Sequence, residues 1–380
     1  MKIGILTYNR SHNYGAFLQA YSLCQKLNTI NDIDCEIINY NLKTEDKRYK
    51  KKRTRRPGFL FTYIRQDHMF DDILKEQKLS DNLILDNDYE KVLNTLDGKY
   101  DVIVTGSDEI WRKGSRGFPN IYWLPGERSF KKMSYAASGR MQIDKMPEEM
   151  KEKLKSLYKD YDYIGVRDEC TKNMVNTATG ENKSIRNCDP AFFYDRFKDK
   201  KELKETIRNK YNLPNKKIVV VAYDEPSLIR KLRRRLGRDY YFVSLSVPMY
   251  TANKIMCTVT PFEWADIIGG ADFVITAYYH GMLFALNQNT PFMAIDRRAT
   301  RDNIETSKLY DFLSYAHLED RYTMSEDITK DYWDKLARQI VEESERDSVD
   351  FSETVADQKK LFDSFEKELL KLSNNERKEE

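Results

Sequence analysis

The residues best placed to do chemistry fall in four short segments. Asn13-Tyr14-Gly15 opens an apolar-periodic stretch, and Gly106-Ser107-Asp108 runs into Glu109-Ile110-Trp111. Arg167 follows Gly165-Val166, and His280-Gly281 follows Tyr278-Tyr279. Small residues opening a helix leave backbone N–H groups free, and the helix dipole favours negative charge there, so phosphate or carboxylate is the chemistry these segments suit. None of them is a GxGxxG or a phosphate-loop sequence, so a nucleotide signal is absent. Plainer uses compete. Asn13 and Gly15 serve tight turns, and Ser107 and Asp108 serve as helix caps.

The elements around these segments follow a repeated pattern. Ile3 to Tyr8 is a β-type run, Asn9 to Gly15 a polar loop, Phe17 to Leu27 a helical stretch, and Cys35 to Tyr40 a second strand, which makes one βαβ unit. Val102 to Val104, Met133 to Ser138 and Tyr163 to Val166 continue the series, each strand ending in a polar or charged loop. Asp195 to Lys217 is dense in charge, contains Leu213-Pro214-Asn215, and reads as a linker holding a helix. A second series follows, with strands at Ile218 to Ala222, Tyr241 to Val247, Phe273 to Ala277 and Phe292 to Ile295, and a helix at Glu263 to Gly269. The expected domains are therefore 1–200, 210–328, and a group of terminal helices at 329–380 ending in a frayed polar tail. In open parallel sheets ligands bind beyond the carboxyl ends of the strands, which is where all four segments lie.

Composition agrees with two folded α/β domains. The chain has 380 residues, 33% of them charged and 40% apolar, with 25 tyrosines. The net charge is only +3, yet Lys47 to Arg56 is nearly all basic and Arg230 to Arg238 carries six cations. An anionic partner fits both runs. The five cysteines are scattered without metal-ligand spacing, so neither a zinc site nor a disulfide framework is expected. Met1 leads straight into a strand, and no apolar run nears the ~20 residues that cross a bilayer, so the expected location is the cytoplasm. Recognition of nucleic acid is not expected, because charge is nearly balanced and no RRM, KH or helix-turn-helix pattern accompanies the basic runs. His12, His68 and His317 stand outside any motif.

Several blocks, in order, resemble those of polysaccharide pyruvyl transferases. They are Asn13 to Ala20, Tyr100-Asp101 through Gly106 to Trp111, Ser134 to Ser138, Val166 to Glu169, Asp189-Pro190, Thr260 to Trp264, and Ala271 to Thr276 through His280-Gly281. The resemblance covers about residues 1–320. It implies two Rossmann-like domains in a glycosyltransferase-B-like arrangement, and transfer of a pyruvyl group from phosphoenolpyruvate to a sugar diol as a ketal in glycan biosynthesis. It implies no cofactor and no metal, and a glycan or lipid-linked oligosaccharide as acceptor. Lys47 to Arg56 would then touch the acceptor's pyrophosphate or anionic headgroups at the membrane surface, unless the run is simply a solvated loop.

The resemblance also assigns roles. His280 becomes the acid, since imidazole ordinarily titrates near ~6.5, and Arg167 binds the donor's carboxylate or phosphate as a bidentate cation. The two are expected to face one cleft from different halves. Asn13, Gly15, Ser107, Asp108, Ser138, Glu263, Tyr278, Gly281, Arg297 and Lys308 are the expected substrate-binding positions. Against these stand a capping role for His280 and pairing of Arg167 with a carboxylate. Many relatives carry arginine, as in Arg-x-His, or serine, as in Asp-Ser-Phe-His, two residues before the histidine, where this chain has Tyr278. The donor's phosphate then falls to Arg297, Arg298, Arg301 or Lys308, of which Lys308 stands where relatives tend to carry arginine. The competing functions are a sugar transferase using a nucleotide sugar and a non-catalytic glycan-binding relative.

Overall fold

The computed structural model describes residues 1–44, 57–112, 114, 117–346 and 349–379. The basic run Lys47 to Arg56 lies outside them. The described chain forms two compact units, one of residues 1–44, 72–194 and 357–379, the other of 57–71, 195–346 and 349–356. No helix among the described residues is long and apolar enough to cross a membrane.

The first unit contains β1 (Lys2–Leu6), β2 (Asp34–Ile37), β3 (Tyr40–Asn41), β4 (Ile84–Leu85), β5 (Val102–Thr105), β6 (Lys131–Ala137), β7 (Tyr163–Val166) and β8 (Ser184–Arg186). Six of these make an all-parallel sheet in the order β2-β1-β5-β6-β7-β8, while β3 and β4 pair separately. Every residue of β5 is buried, as a parallel strand covered on both faces requires. One face packs Trp111, Trp123, Tyr158 and Tyr161 together, with the two indoles stacked 5.3 Å apart. The other face takes Phe362 and, from the Asp363–Glu379 helix, Phe365 and Leu369 against Tyr135 and Tyr163.

The second unit contains β9 (Lys217–Ala222), β10 (Tyr240–Leu245), β11 (Lys254–Met256), β12 (Phe273–Thr276), β13 (Phe292–Asp296) and β14 (Tyr322–Met324). Its parallel sheet runs β11-β10-β9-β12-β13-β14, the dinucleotide-fold order, so the strand order reverses between β9 and β12. The Pro226–Leu236 and Lys330–Arg346 helices pack on one face through Leu228, Leu232, Leu336 and Ile340.

Three expectations change. The Lys200–Tyr211 helix is no linker: it buries Leu203 and Ile207, and its Lys204 pairs with the Asp272 carboxylate at 3.0 Å, so it belongs to the second unit. The residues after 329 are not a body of their own, because the Lys330–Arg346 helix packs on the second sheet and Phe362 to Leu369 on the first. The expected frayed tail is helical to Glu379.

Candidate functional site

In the first unit, the loops after β1, β5, β6 and β7 meet at the carboxyl edge of the sheet. Gly106 turns the chain at φ +119°, where an added Cβ would collide with the Tyr135 carbonyl oxygen, and Asp108 follows at φ +84°. The loop is held by Thr7, whose hydroxyl donates to the Ser107 carbonyl (2.9 Å), and by Gln19, whose amide oxygen accepts from the Ser107 N–H (3.3 Å). Ser138 donates its N–H to the Asp108 carbonyl at 3.0 Å, and its buried hydroxyl has no protein partner among the described residues. Asn9, after β1, is buried with both side-chain amide atoms likewise unmatched.

Arg167 lies within this group but faces protein. It is 3% exposed, and its Nη1 donates to the Asp189 carboxylate at 2.7 Å and to the Ser107 hydroxyl at 3.4 Å. Asp108 is farther, 3.9 Å from Nη2. Ser107 in turn donates to Asp189 at 3.3 Å, so Arg167, Asp189 and Ser107 form a buried triangle that sets the loop's shape. Pairing with a carboxylate, the plainer of the two readings of Arg167, is the arrangement found. Asp189 was missing from the expected site although Asp-Pro is a recognisable helix-start pair, and its Oδ1 does cap the Pro190–Phe193 turn at 2.9 Å. Asn13 caps the Tyr14–Leu27 helix, accepting from the Ala16 N–H at 3.1 Å, and Gly15 is buried in that helix's first turn.

In the second unit the groups gather where the strand order reverses. The Tyr279–Asn287 helix starts just beyond β12, with His280 buried in its first turn. Tyr278, at the N-cap, makes no side-chain capping bond; its N–H goes to the Thr276 hydroxyl at 3.0 Å. Gly281 sits so close to that threonine that an added Cβ would lie 2.5 Å from its Oγ1. Its role is therefore close packing of helix on strand. Gly281→Ala is expected to destabilise the protein by about 1–3 kcal/mol through overpacking, measured by denaturant unfolding.

Cations surround this helix start. Lys308 opens the Lys308–Tyr315 helix, where the dipole disfavours a cation, and its Nζ lies 5.5 Å from the centroid of the Tyr279 ring. The Tyr279 and His280 rings are 5.5 Å apart. Arg297 and Arg298 follow β13 and are exposed; Arg297 reaches Asp224 at 3.8 Å and lies over the Tyr223 ring. Asp296 shapes this turn, accepting from the Arg298 and Ala299 N–H groups and from the Ser307 hydroxyl. Arg301 is engaged by Asp327 at 3.3 Å. Burial pushes the Tyr278 hydroxyl up to about 12, with Asp224 adding to the rise and Arg297 opposing it. The hydroxyl is therefore protonated at neutral pH and, with the residue 39% exposed, can donate to an anion.

Glu263 is engaged by its own neighbours. It completes a capping box with Thr260 after β11, at the far edge of the sheet, and pairs with Lys210 at 2.6 Å. Burial pushes its carboxyl up, but the Lys210 and Thr260 hydrogen bonds outweigh that and hold it below its ordinary value.

The comparisons with known proteins come from fold and from sequence. UDP-GlcNAc 2-epimerase from Neisseria meningitidis, solved with UDP-GlcNAc, is similar in fold at TM-score 0.52 and 11% identity, with 98% of this chain and 100% of that one covered. Anabaena HepE, solved with UDP, gives TM-score 0.52 at 8% identity over 100% and 99% of the two chains. Identities so low carry the fold alone, which is α/β and glycosyltransferase-B-like. No curated protein matches the sequence significantly. The sequence itself matches the family model for polysaccharide pyruvyl transferase over residues 13–298, from the cap of the first helix to the arginines beyond β13. The chain belongs to the polysaccharide pyruvyl transferase family.

Proposed function

We propose that the protein transfers the pyruvyl group of phosphoenolpyruvate to two hydroxyls of a glycan, forming a cyclic ketal. The observation that carries this reading is the set of donors at the reversal point of the second sheet. There His280 and Tyr278 sit at a helix start beside Lys308, Arg297 and Arg298, in a chain of this family.

In the proposed reaction His280 gives a proton to the methylene carbon of the enol, leaving a cation at C2. A glycan hydroxyl adds to C2 and returns its proton to His280, the bond from C2 to the phosphate oxygen breaks, and inorganic phosphate leaves. The second hydroxyl adds to the renewed C2 cation, gives its proton to the departing phosphate and closes the ketal. Lys308, the two arginines and the Tyr278 hydroxyl hold the carboxylate and phosphate, and the helix start supports them. Arg167 acts as a positioning residue for the Gly106–Asp108 loop. No cofactor is needed, since the donor carries its own leaving group. The setting proposed is cytoplasmic synthesis of an exopolysaccharide or cell-surface glycan, with a free or lipid-linked acceptor.

The fold neighbours solved with UDP-GlcNAc and UDP support a second reading, a sugar transferase that takes a nucleotide sugar. Calorimetric titration separates the two. The expected result is binding of phosphoenolpyruvate and not of UDP-GlcNAc, with Lys308→Ala weakening the donor by about ten- to a hundredfold, as loss of one charged hydrogen bond does. Binding of UDP-GlcNAc alone would replace the first reading with the second.

A further inference from the structure

The second unit also carries an aromatic surface, on the loop after β10 and the segment fastened beside it. The Pro57–Phe59 turn leads into the Leu60–Ile73 helix, which buries only Phe70. Phe59 stacks on Tyr250 with centroids 4.2 Å apart and planes 23° from parallel, and the Tyr250 hydroxyl donates to the Gly58 carbonyl at 3.3 Å. Gln66 fastens the helix by donating to the Cys257 carbonyl at 2.9 Å. These contacts fix the segment in place without covering it. Phe61 stays 79% exposed and Tyr250 72%, more than any other large apolar side chain described, and Leu60 is exposed beside them. Side chains of this size are seldom left together in water unless something docks on them.

A cationic surface adjoins it. The Pro226–Leu236 helix buries Leu228, Ile229, Leu232 and Leu236, which turns Arg230 and Arg234 to the opposite, exposed side, and Arg238 follows exposed after Gly237. Lys231 lies over the Trp333 ring and Arg235 is paired with Asp334 at 2.6 Å, whereas Arg230, Arg234 and Arg238 have no ion pair among the described residues. Arg233 joins the two surfaces: its Nη2 donates at 2.8 Å to the carbonyl of Thr251, the residue after Tyr250.

We propose that this face docks the protein on an anionic lipid bilayer, with Phe61, Leu60 and Tyr250 entering the headgroup layer and the arginine side lying on lipid phosphates. Aromatic rings settle at the boundary between headgroups and acyl chains, and each nearby cation adds attraction to an anionic leaflet. A single-stranded nucleic acid would call for rings interleaved with cations along one groove. Here the rings occupy one pair of segments and the free arginines the neighbouring helix, which is the partition a bilayer selects. The surface is complete without Lys47 to Arg56, although in sequence that run brings eight more cations just ahead of Phe59. The inference is independent of the donor chemistry.

Co-sedimentation of the full chain with vesicles tests it. Expected is binding to phosphatidylcholine–phosphatidylglycerol vesicles, little to phosphatidylcholine alone, and release by salt. The pair Phe61→Ser and Tyr250→Ser, and separately Arg230→Glu with Arg234→Glu, should each lower the apparent affinity by about tenfold or more while melting is unchanged. Should the serine pair melt lower, the arginine pair decides. Failure to pellet with anionic vesicles overturns the proposal, as does equal pelleting with neutral ones or full binding by the arginine pair. Retardation of single-stranded DNA without vesicle binding would give the face to nucleic acid instead.

Discussion

Arg167→Ala is expected to unfold the first unit under mild denaturant, lowering stability by about 3–5 kcal/mol, because it leaves the buried Asp189 carboxylate charged and without its cation. The guanidinium is 3% exposed and bonded at 2.7 Å to a carboxylate whose side chain is fully buried. A donor-binding arginine, as the family resemblance implied, would instead lose affinity and keep its melting temperature. Denaturant unfolding therefore separates the two roles. Replacing both partners, as in Arg167→Met with Asp189→Leu, should restore most of the stability, since a buried ion pair is often matched by well-packed apolar groups. If Arg167→Ala melts like the parent protein, the structural assignment fails.

His280→Gln should lower ketal formation by about 10²- to 10⁴-fold, the usual worth of a placed proton donor, while phosphoenolpyruvate still binds and the protein melts as before. Phosphate release from phosphoenolpyruvate in the presence of acceptor glycan measures the first, and calorimetry the second. Near-normal turnover would reduce His280 to a residue of the helix start. The search would then move to Tyr278, whose hydroxyl stays protonated, and not to Glu263, which Lys210 and Thr260 hold ionised.

The strands that carry these groups are legible in sequence because parallel strands covered on both faces are nearly unbroken apolar runs, as in Val102–Thr105 and Phe273–Thr276. The turns at their ends are legible too, through Gly106, Asp108 and Gly281. What sequence hides is pairing at a distance. Nothing local marks Asp189 as the partner of Arg167, 22 positions earlier. The Lys200–Tyr211 helix looks like a linker because only Leu203 and Ile207 of its twelve residues are buried, too few to show a clear apolar stripe. The Leu60–Ile73 helix gives no hint that its start belongs to the second unit, since the residues fastening it, Tyr250 and Cys257, lie about 190 positions away.

The return of Phe362, Phe365 and Leu369 to the first sheet bears on how the protein is made. Tyr135 and Tyr163 emerge from the ribosome some 200 residues or more ahead of the side chains that return to cover them. At about 5–20 residues per second, the roughly 200 residues between Tyr163 and Phe362 take on the order of 10–40 s to appear. For that interval one side of the first sheet has the Tyr14–Leu27 helix but lacks the rest of its cover, and offers a hydrophobic surface to chaperones or to neighbouring chains on the same message. A translation pause within the second unit would lengthen that exposure without changing a single contact of the finished protein.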